Sequence, residues 1–221
     1  MADFPFDLVA FDLDGTLADT APDIAAALNL TLGDFGRPAL DPGLIRTLIG
    51  GGAKTLIRKA LEAGGEATDA MVERAYPVYL DRYGANICEG TACYPAVEQA
   101  MDDLAARGVR LAICTNKPER LTHALLEALG WAGRFAAVVA GDSFPYRKPD
   151  PRLLTGTVAR AGGGRAAYVG DSIIDADTAK AAGIPFVAVS FGFSDRPASE
   201  FGADAVIDDY ADLIGALRSL A

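Results

Sequence analysis

Asp12 and Asp14 stand one residue apart at the end of a nearly continuous apolar run that begins at Phe6, and Gly15-Thr16 follows them directly. In an extended segment residues i and i+2 point to the same side, so the two carboxylates project together. Three other short clusters have similar chemistry: Thr115-Asn116-Lys117 in "AICTNKP", Gly141-Asp142 leading to Lys148 in "YRKPDP", and Asp171, Ser172, Asp175 and Asp177 in "VGDSIIDAD". If these meet, Asp12, Asp14, Asp171 and Asp175 against Lys148 leave three net negative charges. A hard divalent cation relieves such repulsion. Mg2+ suits best, since it takes one or two carboxylates and keeps waters and a substrate phosphate as its other ligands. The chemistry implied is phosphoryl transfer: a carboxylate attacks phosphorus, while metal and lysine neutralise the transferring group. Thr115 can donate to phosphate, and backbone amides around Leu13, Gly15 and Asn116 can cradle its oxygens.

These residues converge only if a scaffold presents them on one rim. Short aliphatic runs bounded by Gly, Pro, Asp or Asn predict strands over 7–11, 109–114, 136–140, 166–169, 186–190 and 205–207. Helical patterns at 94–107, 118–129, 151–161, 176–182 and 209–220 alternate with them. The expected fold is α/β, a Rossmann-like parallel sheet with helices on both faces. Ligands of such sheets bind at the carboxyl ends of the strands, where every cluster named above falls.

Between Pro22 and Tyr83 the alternation stops, and helix-like segments occupy 23–35, 42–48, 53–63 and 69–83. This stretch exceeds what a βαβ crossover requires. It is read as an inserted helical subdomain, 18–89, within a core formed by 1–17 and 90–221, with 17–21 and 84–93 as hinges. Its helices packing on the sheet as part of one domain is the simpler alternative.

The 221 residues are 51% hydrophobic and 23% charged, with a net charge of -10. That balance argues against nucleic acid, whose phosphates need clustered Lys and Arg. No apolar run reaches membrane-spanning length, and the start MADFPFD has an acid where a signal peptide would be basic. Cys88, Cys93 and Cys114 form neither a disulfide framework nor a metal pattern. A cytoplasmic protein, monomer or homodimer, is expected.

D-x-D-G-T, T-N-K, K-P-D-P and G-D-S-x-x-D, in that order at strand ends, resemble the haloacid dehalogenase superfamily across essentially the whole chain. The resemblance is strongest to phosphoglycolate phosphatases and related small phosphatases with a helical cap. It implies that Asp12 is the nucleophile and Asp14 the general acid/base, with Thr115 and Lys148 binding phosphate and neutralising charge. It implies Mg2+ on the Asp12 side chain, the Asp14 carbonyl and Asp171, with Asp175 and Ser172 supporting metal and lysine from behind. Asp14 speaks for phosphate esters, because dehalogenases of the superfamily lack a second acid there.

Substrate choice is expected from the cap, where "LIGGGAKTLIRKAL" places Gly50, Gly51 and Gly52 before a helix whose bare amides suit an anion. It resembles the I-G-x-G-A segment of phosphoglycolate phosphatases, with Lys54, Arg46 or Arg58 adding positive charge. A plain interhelix turn with a solvated basic face is the competing reading. The expected substrate is a small phosphorylated metabolite, 2-phosphoglycolate first, with sugar phosphates as alternatives. A β-phosphoglucomutase-like transferase and a noncatalytic phosphometabolite binder are the rival functions. His123, Asp177 and Trp131 are read as surface, helix-start and packing residues. Asp142 is read equally as a neighbour of the site or a turn residue, and the segment around Phe191 and Phe193 as a packing loop that can touch the rim.

Overall fold

The computed structural model describes residues 4–220; the acidic start at Asp3 lies outside them. Six strands form an all-parallel sheet: β1 (Leu8–Phe11), β4 (Arg110–Cys114), β5 (Ala137–Val139), β6 (Ala166–Gly170), β7 (Phe186–Val189) and β8 (Ala205–Ile207). Their order is β5-β4-β1-β6-β7-β8, so the topology reverses on either side of β1. This reversal is the switch point where doubly wound sheets open a ligand crevice.

Period-two alternation sorts the strand side chains into two layers. Val9 and Phe11 face one apolar cluster with Ile113, Val169 and Val187, covered by α5 (Val97–Ala105), α6 (Glu119–Ala128) and α9 (Leu213–Ser219). Leu8 and Ala10 face the other with Ala112 and Tyr168, covered by α7 (Pro151–Arg160) and α8 (Ile173–Ala182). All four residues of β1 are buried. Truncating Phe11 in such a layer costs about 3–5 kcal/mol.

The sequence sets two helix starts that bear on the site. In K-P-D-P, the Asp150 carboxylate accepts the Arg152 amide at 2.9 Å and Pro151 takes the first helical position of α7. In G-D-S-x-x-D, Ser172 and Asp175 form a reciprocal capping box. The box starts α8 at Ile173, three residues before the predicted 176.

Residues 21–85 form the four helices α1 (Ala21–Asp34), α2 (Pro42–Leu48), α3 (Ala53–Ala63) and α4 (Asp69–Ala85). Ile24, Leu28, Leu32, Ile45, Leu56, Ile57, Leu61, Tyr79 and Tyr83 gather into an apolar cluster of their own, joined by Leu121 of α6. The two connecting segments, where no strand was predicted, pair as a short antiparallel ribbon of β2 (Ala18–Asp19) and β3 (Ala92–Cys93). Two residues are too few to show a period. Asp23 strengthens this junction by accepting the amides of Gly90 and Thr91, each at 2.8 Å, and the Thr91 hydroxyl at 2.6 Å. Among the described residues no helix is long and apolar enough to cross a membrane.

Candidate active site

β1 delivers Asp12 by continuing its parallel pairing one residue further: the Asp12 amide donates to the Val169 carbonyl at 2.9 Å. The chain then turns sharply, with the amides of Thr16, Leu17 and Ala18 all donating to the Leu13 carbonyl. Gly15 makes this turn at φ +79°, and a Cβ there would collide with the Asp171 carboxylate and the Phe193 ring. Its amide donates to the Ala18 carbonyl at 2.9 Å. That corrects its expected place in the phosphate cradle, because the amide closes the turn instead. The amides of Leu13, Asp14 and Asn116 meet no acceptor among the described residues.

β6 delivers the second acidic group. Asp171 accepts the Phe193 amide at 2.7 Å and the Thr16 hydroxyl at 3.2 Å, so the loop after β7 does touch the rim. Asp175, one turn into α8, is fully buried. One of its oxygens accepts from Lys148 Nζ at 2.6 Å and Tyr168 Oη at 2.7 Å; the other accepts the Ser172 hydroxyl at 2.5 Å and its amide at 3.2 Å. Lys148 reaches Asp12 Oδ1 at 3.0 Å as an ion pair without hydrogen-bond alignment, which leaves that buried oxygen with no hydrogen-bond donor.

Asp12, Asp171 and Asp175 bring carboxylate oxygens within 4.8 Å of one another. Burial, partly offset by Lys148 and reinforced by Asp175 and Asp14, pushes the Asp12 carboxyl up to about 6. Burial, then the charges of Asp175 and Asp12, push Asp171 up to about 8. Burial alone would lower Lys148, yet Asp12 and Asp175 hold its ammonium well above the ordinary lysine range. Three carboxylates against one ammonium leave two negative charges for a divalent cation to offset. The residues fit such an ion: Asp12 has a donor-free buried oxygen, and Asp171 is held in place by Thr16 and Phe193. Asp175 belongs to the cluster by distance only, since Lys148, Tyr168 and Ser172 already occupy both its oxygens.

β4 delivers Thr115, Asn116 and Lys117, all buried. Thr115 Oγ1 accepts the Lys117 amide at 3.3 Å. The Asn116 side chain receives the Lys148 amide at 2.9 Å and donates to the Lys148 carbonyl at 3.2 Å and the Gly50 carbonyl at 3.1 Å. It therefore ties the lysine loop to the helical unit. Lys117 donates to Asp14 Oδ1 at 2.8 Å and to Tyr83 Oη of α4 at 2.7 Å.

The sheet rim and the helical unit enclose a cavity lined by Asp12, Asp14, Thr115 and Lys117 on one side and Ile49, Gly50, Gly52, Leu56 and Tyr79 on the other. About 30 Å³ of it admits the centre of a water-sized sphere, room for roughly two waters at 10–15 Å³ each. Gly52 caps α3 at φ +86°, and a Cβ there would sit 3.2 Å from the Asn116 carbonyl. The other expected recognition residues lie elsewhere. Gly51 faces Thr55, Lys54 is exposed and bound to Glu73 at 2.6 Å, and Arg58 pairs with Asp69. Arg46 Nη1 donates to both Asp19 oxygens at 2.9 Å, and the guanidinium lies 4.4 Å over the Phe193 ring, so its charge spans helical unit and rim.

Asp142 accepts the Glu119 amide at 2.7 Å and caps α6. Asp177 is exposed on α8, His123 is exposed beside Glu119, and Trp131 is buried with its indole N–H on Glu98 at 2.9 Å. Cys114 is a buried thiol that burial pushes up to about 12.

Sequence reasoning gave no role to Lys117, Tyr83, Thr20 or Tyr168. Tyr168 carried a signal, since a tyrosine within a buried aliphatic strand must find a partner for its hydroxyl.

A doubly wound sheet whose switch-point loops bring a buried acidic cluster, spaced to accept a cation, against a buried lysine defines the class: an α/β protein with a charged site at the carboxyl ends of its strands. Within it the chain belongs to the haloacid dehalogenase-like hydrolase family, whose model matches residues 9–189. The chain is similar to the phosphoglycolate phosphatase of Mesorhizobium japonicum, at 46% identity over 92% of this chain and 91% of that protein. Its fold is similar to a predicted phosphoglycolate phosphatase from Haemophilus somnus, with TM-score 0.89, 32% identity, and coverage of 95% of this chain and 97% of that one. It is also similar to CbbY from Rhodobacter sphaeroides in complex with phosphate, with TM-score 0.83, 26% identity, and coverage of 96% and 99%.

Proposed function

We propose that this protein hydrolyses small phosphomonoesters, 2-phosphoglycolate foremost, through an aspartyl-phosphate on Asp12. The observation that carries the reading is the pairing of Asp12 with Lys148 at 3.0 Å, with the second acid, Asp14, facing the same cavity. The name shared by the relatives supports the substrate.

An Asp12 oxygen attacks phosphorus. The bond to the ester oxygen breaks, and that oxygen leaves with the electron pair and takes a proton from Asp14. Asp14 then accepts a proton from water as the water oxygen attacks phosphorus, which frees the Asp12 carboxylate and inorganic phosphate. Lys148 offsets charge on the nucleophile and the transferring group, while the Thr115 hydroxyl and the free amides of Leu13 and Asn116 hold phosphate oxygens. Asp175, Ser172 and Tyr168 fix Lys148. Bound Mg2+, held by the carboxylates of Asp12 and Asp171 and the main-chain carbonyl of Asp14, supplies further charge neutralisation.

In this reading 1–17 and 90–221 are the catalytic core and 18–89 a cap hinged at the β2–β3 ribbon. Substrate enters when the cap swings out, and water is excluded when it returns. The apolar cap wall, with backbone amides at Gly52–Ala53, suits a short acid better than a sugar.

The test is phosphate release from a panel of phosphomonoesters with Mg2+ or EDTA. Preference for 2-phosphoglycolate, abolished by EDTA, is expected. Metal-dependent release spread evenly over sugar phosphates would remove the substrate, and no release from any ester would remove the activity.

A further inference from the structure

We propose that Lys117 and Tyr83 are positioning residues that arm Asp14 only when the helical unit is seated on the core. The inference rests on the phosphatase reading above and adds to it the device that couples cap position to the acid/base group.

Three elements meet at one carboxylate oxygen. Asp14 Oδ1 accepts the Thr20 hydroxyl at 2.7 Å and Lys117 Nζ at 2.8 Å. Thr20 is the residue before α1, on the first connection to the helical unit. Lys117 belongs to the core, and its ammonium is buried, with the side chain 2% exposed. A second N–H goes to Tyr83 Oη at 2.7 Å, and the Tyr83 ring centroid lies 4.4 Å from the ammonium. Tyr83 lies in the last turn of α4, beside the second connection. Both ways into the helical unit therefore converge on Asp14, one directly and one through Lys117.

Both donors fall on Oδ1, and Oδ2 has no partner among the described residues, so one oxygen is anchored and the other stays free for proton transfer. A buried ammonium with a single carboxylate partner would be poorly satisfied; Tyr83 supplies the second acceptor and an aromatic face. When the helical unit moves away it takes Tyr83 with it, and Lys117 loses the contact that fixes its direction. Asp14 then loses the Lys117 half of its anchor, the Thr20 hydroxyl being the other half. Proton transfer demands alignment as well as an acid, so the open form is a poor catalyst, which protects the phosphoenzyme until the cap has closed.

The test compares Lys117→Met, Lys117→Arg and Tyr83→Phe with wild type, in Mg2+, on two esters. 2,4-Dinitrophenyl phosphate needs no proton on its leaving oxygen, whereas 2-phosphoglycolate does. With the aryl ester, Lys117→Met is expected to release one equivalent of phenolate per site within about 3-fold of the wild-type rate. Its steady state then slows by about 10–100-fold, because water attack still needs Asp14. With 2-phosphoglycolate it shows no early phase and a loss of about 100-fold in kcat with KM little changed. Tyr83→Phe keeps the ring and its packing, and shifts the same quantities in the same direction by about 3–10-fold. Lys117→Arg recovers part of the loss. Equal losses of the first step on both esters, or an effect confined to KM, would overturn the positioning role. Should Lys117→Met fail to fold, Tyr83→Phe decides alone: wild-type behaviour on both esters refutes the coupling. A wild type that turns over neither ester removes the phosphatase reading, and this inference falls with it.

Discussion

Tyr168→Phe removes a single oxygen, one shared by Lys148, Asp175 and the Cys114 carbonyl. The residue is fully buried in β6, and its hydroxyl lies 3.0 Å from Lys148 Nζ, 2.7 Å from Asp175 Oδ1 and 3.0 Å from the Cys114 carbonyl. Burial first, then the Asp175 charge, keep the phenol far above its ordinary titration range, so it is a neutral donor at any working pH. Without the oxygen, Lys148 loses one acceptor and Asp175 one donor, though each keeps the other at 2.6 Å. A buried polar group left short of a partner costs roughly 1–3 kcal/mol. Because both groups remain partly satisfied, the sum is placed at about 2–3 kcal/mol. For a chain of this size each kcal/mol moves Tm by about 2–4 °C, which gives a drop of about 4–12 °C. Lys148 stays pinned between Asp175 and Asp12, so kcat/KM should fall only about 3–30-fold, or roughly 1–2 kcal/mol. Thermal unfolding and phosphate release on the same preparation read both quantities. A Tm within about 1 °C of wild type would refute the hydroxyl's supporting role. Inactivation as deep as that of Lys148→Met would place Tyr168 in the chemistry itself.

Metal-free protein should lose stability as pH rises from about 4 to about 8. Asp171 and Asp12 hold protons in the fold up to about 8 and about 6, against 3.8 for the ordinary carboxyl, so the unfolded chain releases them first and gains with rising pH. Tm in EDTA against pH checks this; Mg2+ should abolish the slope and add about 2.7 kcal/mol at a hundred times its Kd. Gly192→Ala would put a methyl group onto the Asp171 side chain. It should weaken Mg2+ binding, read as a smaller Mg2+-induced Tm rise, at about 1–3 kcal/mol of intrinsic stability. Gly52→Val should impair 2-phosphoglycolate turnover by about 10-fold or more, since its side chain meets the Asn116 carbonyl at a positive φ. Lys54→Ala, which removes an exposed pair with Glu73 and a cation–π contact with Tyr76, should change turnover by less than about 2-fold; the reverse ranking would return recognition to the basic face of α3.

The sheet was legible because its signals are local. β1 announces itself by an apolar run ending in Asp12, and Asp150-Pro151 writes the start of α7 into the sequence. Lys148, Asp171 and Asp175 were readable as strand-end chemistry, and the fold gathers them around the switch point. What escaped reading was partnership across distance. Lys117 and Tyr83 are 34 residues apart and meet only through the seating of two units. The outward course of Lys54 and Arg58 was available from periodicity: Leu56, Ile57, Ala60 and Leu61 form the buried stripe of α3, and both cations flank it on the solvent side. Gly15 reads from sequence both as room for the chain to turn and as a phosphate-cradle amide; its φ of +79° matches the turn, and only the partner of its amide separates the two.

The proposed chemistry stands on Asp12 becoming phosphorylated. The direct measurement is an acid quench during turnover of 2-phosphoglycolate with Mg2+, followed by borohydride reduction and peptide mass spectrometry. An aspartyl-phosphate is reduced to homoserine, so homoserine at position 12, dependent on substrate and metal, is the expected result. Phosphate release that continues with Asp12 unmodified, or with the modification on another carboxylate, would contradict the mechanism.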